Sequence, residues 1–378
     1  MRKIAIVGGG IAGLTCALAL AARGISSTIF EQATALKEVG AGIQLSPNAV
    51  KPLQALGLMS AINGFASAPR SIDIYAGRSG SHIVQLPLGA SIEKQFGAPY
   101  LSVHRADLQL ALAQACERSP FIAINLGAQI ERVPLENGQA DIFGDFFDLV
   151  IAADGVNSKL RKQCFALEPV DTGLIAWRTT VPMNERPQAF SNHSTTLCLG
   201  RSAHLVTYPI ASGLELNAVA ILPVGTHIND GFNQWSSKWT PLFKGDQEWL
   251  DWPLRAAPRL PSRMSAPFVF MGDAAHAMLP FAAQGGAMAI EDAFTLATAI
   301  AKLDDDSQSL QKWASFRENR SEKVAALARQ NKHIYHLPAP LALARNSSMA
   351  LLGAKRLMAR QNWIYGFDAT AWSPNSSD

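Results

Sequence analysis

The sequence predicts an α/β protein in which a parallel, helix-flanked sheet receives an inserted antiparallel sheet and is followed by C-terminal helices. Three observations predict it. A β-rich run at Ile4 to Val7 opens onto closely spaced glycines and then an apolar helical stretch. Two later β-runs, "FFDLVIAADG" and "APFVFMGD", each end on an adjoining glycine and aspartate. Between and before those two runs lie further β-runs with alternation and turn signals, the pattern of antiparallel strands. With 378 residues, 48% hydrophobic and 17% charged, the chain can bury a large core and is not of disordered composition. A formal charge of +3 gives no footprint of the kind nucleic-acid binders carry.

The first element is the most specific. Gly8, Gly10 and Gly13 form G-x-G-x-x-G between the first β-run and a helix from Leu14 to about Ala22, which Gly24 ends. A second β-run, Ser27 to Phe30, leads to Glu31, 18 residues after Gly13. This is the whole βαβ fingerprint of a Rossmann-like dinucleotide site. The first glycine allows the turn, the second lets backbone approach a pyrophosphate, and the third lets helix and strand pack closely. The helix N-terminus offers free N–H groups to phosphates, and Glu31 stands where an acid takes ribose hydroxyls. The fingerprint does not choose between NAD and FAD. The same stretch imitates a signal peptide, with basic residues, an apolar run and an A-x-A, but three glycines would break the apolar helix such a peptide needs. No later run reaches the roughly 18 unbroken apolar residues of a membrane-spanning helix.

Residues 70 to 100 read as a hairpin turning at Gly77 to Gly80. The strand "FFDLV" then runs into Asp154-Gly155, with Ser158 and Arg161 opening a helix, which alone is as consistent with an ordinary strand–turn–helix connection. Residues 172 to 264 hold "AWRTTVPM", "STTLCLG", "HLVTYPI" and "LNAVAILPV" as antiparallel strands. "FMGDAAHAMLPFAAQGGAMAIEDA" (Phe270 to Ala293) sets Asp273 and His276 in an apolar stretch ahead of Pro280 and Gly285-Gly286, where a helix starts. Asp273 is read here as a buried carboxylate that needs partners.

Taken together, GxGxxG, D-G-x-x-S-x-x-R at Asp154 to Arg161 and Gly272-Asp273-Ala274-Ala275-His276 resemble the FAD-dependent aromatic hydroxylases, the class A flavoprotein monooxygenases. "GAGIQLSPNAVKPLQALGL", "VHRADLQLAL", "AWRTTVP", "HLVTYPI" and the stretch from His336 to Ala369 are similar to the salicylate-hydroxylase-like branch, so the likeness spans nearly the whole chain. One departure is visible. The family often carries an acidic–arginine pair before the glycine-aspartate strand, where this chain offers Arg255 and Arg259.

The resemblance implies a noncovalent FAD, a transient NADH or NADPH, dioxygen and a small aromatic, phenolic-acid-like substrate, hydroxylated through a C4a-hydroperoxyflavin. It implies cofactor-binding roles for Gly8, Gly10, Gly13, Glu31, Arg105, Asp154, Gly155, Arg161, Gly272, Asp273, Gly285 and Gly286. Asp273 would take the ribityl hydroxyls, and the helix begun by Gly285-Gly286 would point its positive end at the flavin. Catalytic roles fall to Pro280 beside the ring, to His204 and Tyr208, four apart on one strand and so on one face, and to Gln284. For His276, a flavin role and a packing histidine bonded to backbone both stay open. Trp177 reads as core or pocket wall, with core preferred.

The implied domains are residues 1–70, 101–171 and 265–330 for FAD, 71–100 and 172–264 for substrate, and a helical segment at 331–378. Cys16, Cys116, Cys164 and Cys198 have no framework spacing, which favours a reducing, cytoplasmic setting. The histidines form no metal motif, and His333 and His336 read as surface or packing residues. "SMALLGAKRLMARQNWIY" reads as a helix packed on the FAD domain in preference to one lying on a membrane. No nucleic-acid partner is expected, and a homodimer is plausible. Rival readings are the same flavin chemistry on an N-heterocycle, a polyketide-like ring or an alkene, a plain NAD(P)-dependent dehydrogenase, and a flavin-bound protein that is not an enzyme.

Overall fold

The computed structural model describes residues 2–36, 42–245, 247–304, 306 and 308–375. The start of the "GAGIQL" stretch, residues 40–41, and the last three residues of the polar tail lie outside the described residues.

The N-terminal β-run forms the strand Ile4–Val7, and the glycines lead into the helix Ile11–Ala21, three residues earlier than the sequence pattern suggests. The strand Ser27–Glu31 follows. These strands sit inside a six-stranded sheet in the spatial order Met264–Ser265, Phe268–Phe270, Leu149–Ala152, Ile4–Val7, Ser27–Glu31, Ile122–Leu126. All neighbours run parallel except the short Met264–Ser265 pair. The strand Ile4–Val7 is buried throughout, as expected for a central strand covered on both faces. Its ligand-facing end is therefore the C-terminal end, where "VGGGIAG", "AADG" and "MGD" all emerge.

The second sheet has seven strands, in the order Leu250–Ala256, Val170–Pro182, Glu215–Pro223, Ala203–Ile210, Ser194–Gly200, Ser71–Ala76, His82–Pro87. The hairpin at 71–87 joins through a parallel pairing of Ser71–Ala76 with Ser194–Gly200, and every other pairing is antiparallel. The two faces of this sheet have different jobs. Ile175, Val181, Leu205 and Ala218 join Trp239 and Phe243 in a core of their own. Trp177 packs partly buried on that side, so it is a core residue and not a pocket wall. Leu174, Ala176 and Ile221 point the other way and close over Phe281.

Two correcting details concern the C-terminal part. The helix Ser309–Tyr335 runs unbroken through the limit expected at 330. The helix Leu341–Ala359 lays Met349, Ala354 and Leu357 on Ile74, Val84, Leu197 and Leu199 of the inserted sheet, not on the nucleotide-binding part. Among the described residues no helix is long and apolar enough to cross a membrane.

Candidate active site

The glycines divide into two kinds by what surrounds them. A side chain on Gly8 would meet the Ala153 carbonyl oxygen at 2.4 Å, and one on Gly13 would meet the Gly8 oxygen at 2.0 Å. These two are demanded by packing of the first strand, the first helix and the Asp154 loop. Gly286 is similar, with Ile43 2.4 Å from where its Cβ would lie. Gly10, Gly155 and Gly285, by contrast, face open space within 4 Å. Gly10 caps the first helix and Gly285 begins the helix Gly285–Ala301, so two positive helix ends border space in which a ligand can approach backbone.

Glu31 fastens the glycine loop. Its Oε2 accepts from the Gly9 N–H at 2.6 Å and its Oε1 from the Ala33 N–H at 2.8 Å. Gln109, which the sequence did not single out, donates to the Gly9 carbonyl at 2.9 Å. It lies one turn beyond Arg105, the half-buried first residue of the helix Arg105–Glu117, and so on the same helix face.

Asp154 accepts from the Leu160 N–H through one oxygen, while its Oδ1 is enclosed and has no partner. Burial raises its pKa despite those hydrogen bonds. Asp273 does not match its expected burial. It is exposed, at the first position of the short helix Asp273–His276, and its carboxylate makes no hydrogen bond or ion pair among the described residues. The desolvated member of the pair is His276. Its Nε2 lies 2.5 Å from Asp292 Oδ2, a side-chain partner and not the backbone one of the packing alternative, and its Nδ1 is enclosed without a partner. Gly272, with φ of +57°, passes its N–H to the same Asp292 oxygen.

Four expectations change in three dimensions. Arg161 is fully buried, and its guanidinium donates to the carbonyls of Val156, Ala274 and Leu167. It therefore ties the Asp154 loop to the Asp273 turn, with each of its three nitrogens bonded to a backbone carbonyl. Tyr208 donates its hydroxyl to the Gly42 carbonyl at 2.6 Å, and burial pushes the phenol up, so it stays protonated. Gln284 is buried between Asn48 and Ser46 and does not reach an open cleft. His204 is buried against Phe281 and Tyr335, with its Nδ1 2.9 Å from His336 Nε2. Each polar atom goes to a protein partner because the burial of that side chain would otherwise leave it unsatisfied. Pro280 is exposed and starts the turn Pro280–Ala282, whose Phe281 plugs the sheet.

The two histidines carry a pH prediction. Burial pulls His204 well below the ordinary histidine value, with His336 adding to it. Burial, then Lys332 and Arg345, pull His336 from 6.5 down to about 4. Both rings are neutral in the fold, so the stability they contribute is intact above pH 6.5 and is lost as pH falls towards 4. The unfolding midpoint is expected to drop across that window, with a slope of about 1.4 kcal/mol per pH unit for each histidine. His336→Gln should flatten the drop in urea melts, and an unchanged slope in the variant contradicts this account.

A larger polar cluster lies beneath these loops. Glu291 and Asp292 are fully buried in the helix Gly285–Ala301. Arg317 bonds Glu291 Oε2 and Asp292 Oδ1, both at 2.6 Å. Arg320 grips both Glu291 oxygens at 2.7 Å, and Arg263 meets Asp292 Oδ2 at 3.1 Å. Burial opposes ionisation of Asp292, yet Arg263, His276 and Arg317 hold its carboxyl well below the usual range. Asn48 bridges Glu291 to Gln284, so the cluster reaches the first turn of the glycine-led helix. The stretch before the glycine-aspartate strand thus holds a third arginine, Arg263, more deeply placed than Arg255 and Arg259, which pair at the surface with Asp171 and Glu318.

These residues suit a bound FAD. Gly10, Gly155, the unpartnered Asp154 Oδ1 and the unengaged Asp273 carboxylate all lie just past the C-terminal ends of the parallel strands, where a dinucleotide's phosphates and hydroxyls find donors and acceptors. Among the described residues no cluster could hold a metal ion. A dinucleotide cradle joined to a separate sheet defines a dinucleotide-dependent oxidoreductase.

Comparison with known proteins narrows this further. An NAD(P)-binding Rossmann-like domain matches residues 6–36, and an FAD binding domain matches residues 251–331. The 3-hydroxybenzoate 6-hydroxylase 1 of Aquipseudomonas alcaligenes is 30% identical, over 97% of this chain and 98% of that protein. The 3-amino-4-hydroxybenzoate 2-monooxygenase of Streptomyces cremeus is 32% identical, over 100% of this chain and 97% of its own length. Among solved structures, Klebsiella pneumoniae HpxO complexed with FAD and uric acid shares the fold at a TM-score of 0.84, with 22% identity and 96% of each chain covered. A salicylate hydroxylase substrate complex does so at 0.81, with 22% identity over 98% of this chain and 96% of that one. The chain belongs to the FAD-dependent aromatic hydroxylases, the class A flavoprotein monooxygenases. It is an enzyme that uses FAD, NAD(P)H and dioxygen to hydroxylate a small aromatic compound.

Proposed function

We propose that the substrate is a hydroxybenzoate-type phenolic acid and that its ring lies between the inserted sheet and the glycine-led helix. Asn217 carries this reading. Its Oδ1 is fixed on the Gly42 N–H at 2.7 Å, which leaves its Nδ2 enclosed with no acceptor. Asn217 pairs with Tyr208 across the strands, and its neighbours on the same face are Val219 and Val206. An apolar wall with one unused amide donor suits an aromatic ring bearing an oxygen anion. Relatives aligned over nearly the whole chain are named for 3-hydroxybenzoate and 3-amino-4-hydroxybenzoate.

When bound, FAD supplies hydride acceptance and oxygen activation. The chain's own share is binding and electrostatics. Gly10 and the first helix receive phosphate, and Asp273 accepts from the ribityl hydroxyls. The positive end of the helix Gly285–Ala301 favours negative charge placed at its N-terminus. The sheet face around Ile221 and Phe281 excludes water from the reacting ring. The proposed division of labour follows the two sheets, with the cofactor held by 1–70, 101–171 and 265–330. The four unpaired cysteines support a cytoplasmic setting.

The test is a visible spectrum of the purified protein during titration with hydroxybenzoates and hydroxypyridine carboxylates. Flavin bands at about 375 and 450 nm, shifted by a hydroxybenzoate, are expected. Bands that respond only to hydroxypyridines, or to neither, overturn the substrate assignment.

A further inference from the structure

Arg178 leaves the strand Val170–Pro182 on the same face as Leu174 and Ala176, the residues that close over Phe281. Its Nε is enclosed and has no hydrogen-bond partner. Among the described residues no carboxylate pairs with it. Its electrostatic neighbours are the Tyr208 phenol and a second cation, Arg105, and the ring of Trp252 lies 5.9 Å from the guanidinium carbon. Trp252 stands on the sheet's edge strand, opposite Ala176, and is 58% exposed. Two residues on, Leu254 is buried in the Phe281 cluster. The roof is therefore closed at Leu254 and open at Trp252.

A flat, exposed aromatic face beside a guanidinium without a counter-ion is the chemistry that receives a nucleotide, with a base on the ring and a phosphate on the cation. The exposure of Trp252 argues against the reacting substrate on that ring, because the substrate needs enclosure from water. It suits a ligand that arrives and leaves. The reaction consumes such a ligand, a reduced nicotinamide dinucleotide, and the single dinucleotide fingerprint at Gly8 to Gly13 is already taken by the resident FAD. We propose that Trp252 and Arg178 form the docking site of NAD(P)H at the mouth of the cleft, with a base stacked on Trp252 and the pyrophosphate on Arg178. This rests on the flavin and nicotinamide chemistry of the family, but not on the identity of the aromatic substrate.

The experiment uses the FAD-loaded enzyme and tetrahydronicotinamide analogues of NADH and NADPH, which cannot donate hydride. Their dissociation constants are measured by calorimetry, alongside FAD content and the hydroxybenzoate affinity read from the flavin bands. Arg178→Met should weaken at least one analogue by about ten- to a hundredfold, as for one lost charged hydrogen bond, with Arg178→Lys recovering part of the loss. Trp252→Leu should weaken it by about three- to tenfold, and Trp252→Phe should restore stacking. FAD content and hydroxybenzoate affinity should hold in all four variants. Because Trp252 is largely exposed, its variants keep the test open if Arg178→Met does not fold. Unchanged analogue binding overturns the proposal. So does a loss confined to hydroxybenzoate, which gives the guanidinium to the substrate, or one confined to FAD, which gives it to the resident cofactor. If the wild-type enzyme binds the analogue but no hydroxybenzoate, the substrate assignment fails and the docking site stands.

Discussion

Asp273→Ala leaves a folded protein that no longer retains FAD. The two halves of that result have separate causes. The carboxylate is exposed and makes no hydrogen bond or ion pair among the described residues, so its removal is expected to cost the apoprotein almost nothing. Its proposed partners are the hydroxyls of the cofactor. Each hydrogen bond to a charged acceptor is worth about 1.5–3 kcal/mol, so losing two weakens FAD binding by at least about a hundredfold. Gel filtration should strip the variant of its yellow colour, and its unfolding midpoint should match that of wild-type apoprotein. Asp273→Asn, which keeps one acceptor, should fall between. Full FAD retention with normal turnover sinks the role assigned to this residue.

Arg317→Met is expected to be the most damaging single change to the fold. Arg317 is fully buried and neutralises two carboxylates at once, each 2.6 Å away. Removing one partner of a buried ion pair costs about 3–5 kcal/mol because the remaining charge has nowhere to go. Here Glu291 keeps Arg320 and Asp292 keeps Arg263, so the loss is shared but still doubled in number. Against a typical total stability of about 5–15 kcal/mol, the variant should be largely insoluble or unfold at much lower urea. A denaturation curve within about 1 kcal/mol of wild type contradicts this account.

The contrast between these residues shows what a sequence discloses. The first strand, the glycine turn, the first helix and Glu31 were legible because their geometry is local, and a Cβ at Gly13 would collide with an atom five residues away. Strand positions in the inserted sheet were legible from alternation. The direction of polar side chains was not. Asp273 and His276 share one turn of helix, and the cleft, not the sequence, decides which faces outward. The acids that are truly desolvated, Glu291 and Asp292, sit in "GGAMAIEDAFTLATAIA" and were passed over. Two adjacent acids in an otherwise apolar helix were a usable signal that cations must come from elsewhere. They come from Arg263, Arg317 and Arg320, the latter two 25 to 29 residues on in the hydrogen bonds they make, a separation no periodicity reveals. Tyr208 and Gln284 fell on the right elements, yet their partners Gly42, Ser46 and Asn48 lie more than 160 residues away. Arg178 went unnoticed because its interest lies in lacking a carboxylate, which only the assembled sheet can show.

Arg161 holds the Val156 carbonyl on one side and the Ala274 carbonyl on the other. Two turns hang on one planar group, the second of them 113 residues along the chain from Arg161 itself. The consequence is kinetic. Either turn can swing away only by giving up its bond to Arg161, so movement of the two is expected to be coupled. Capture and release of FAD should then involve both loops together, and the cofactor's residence time should respond to a side chain that need never touch it.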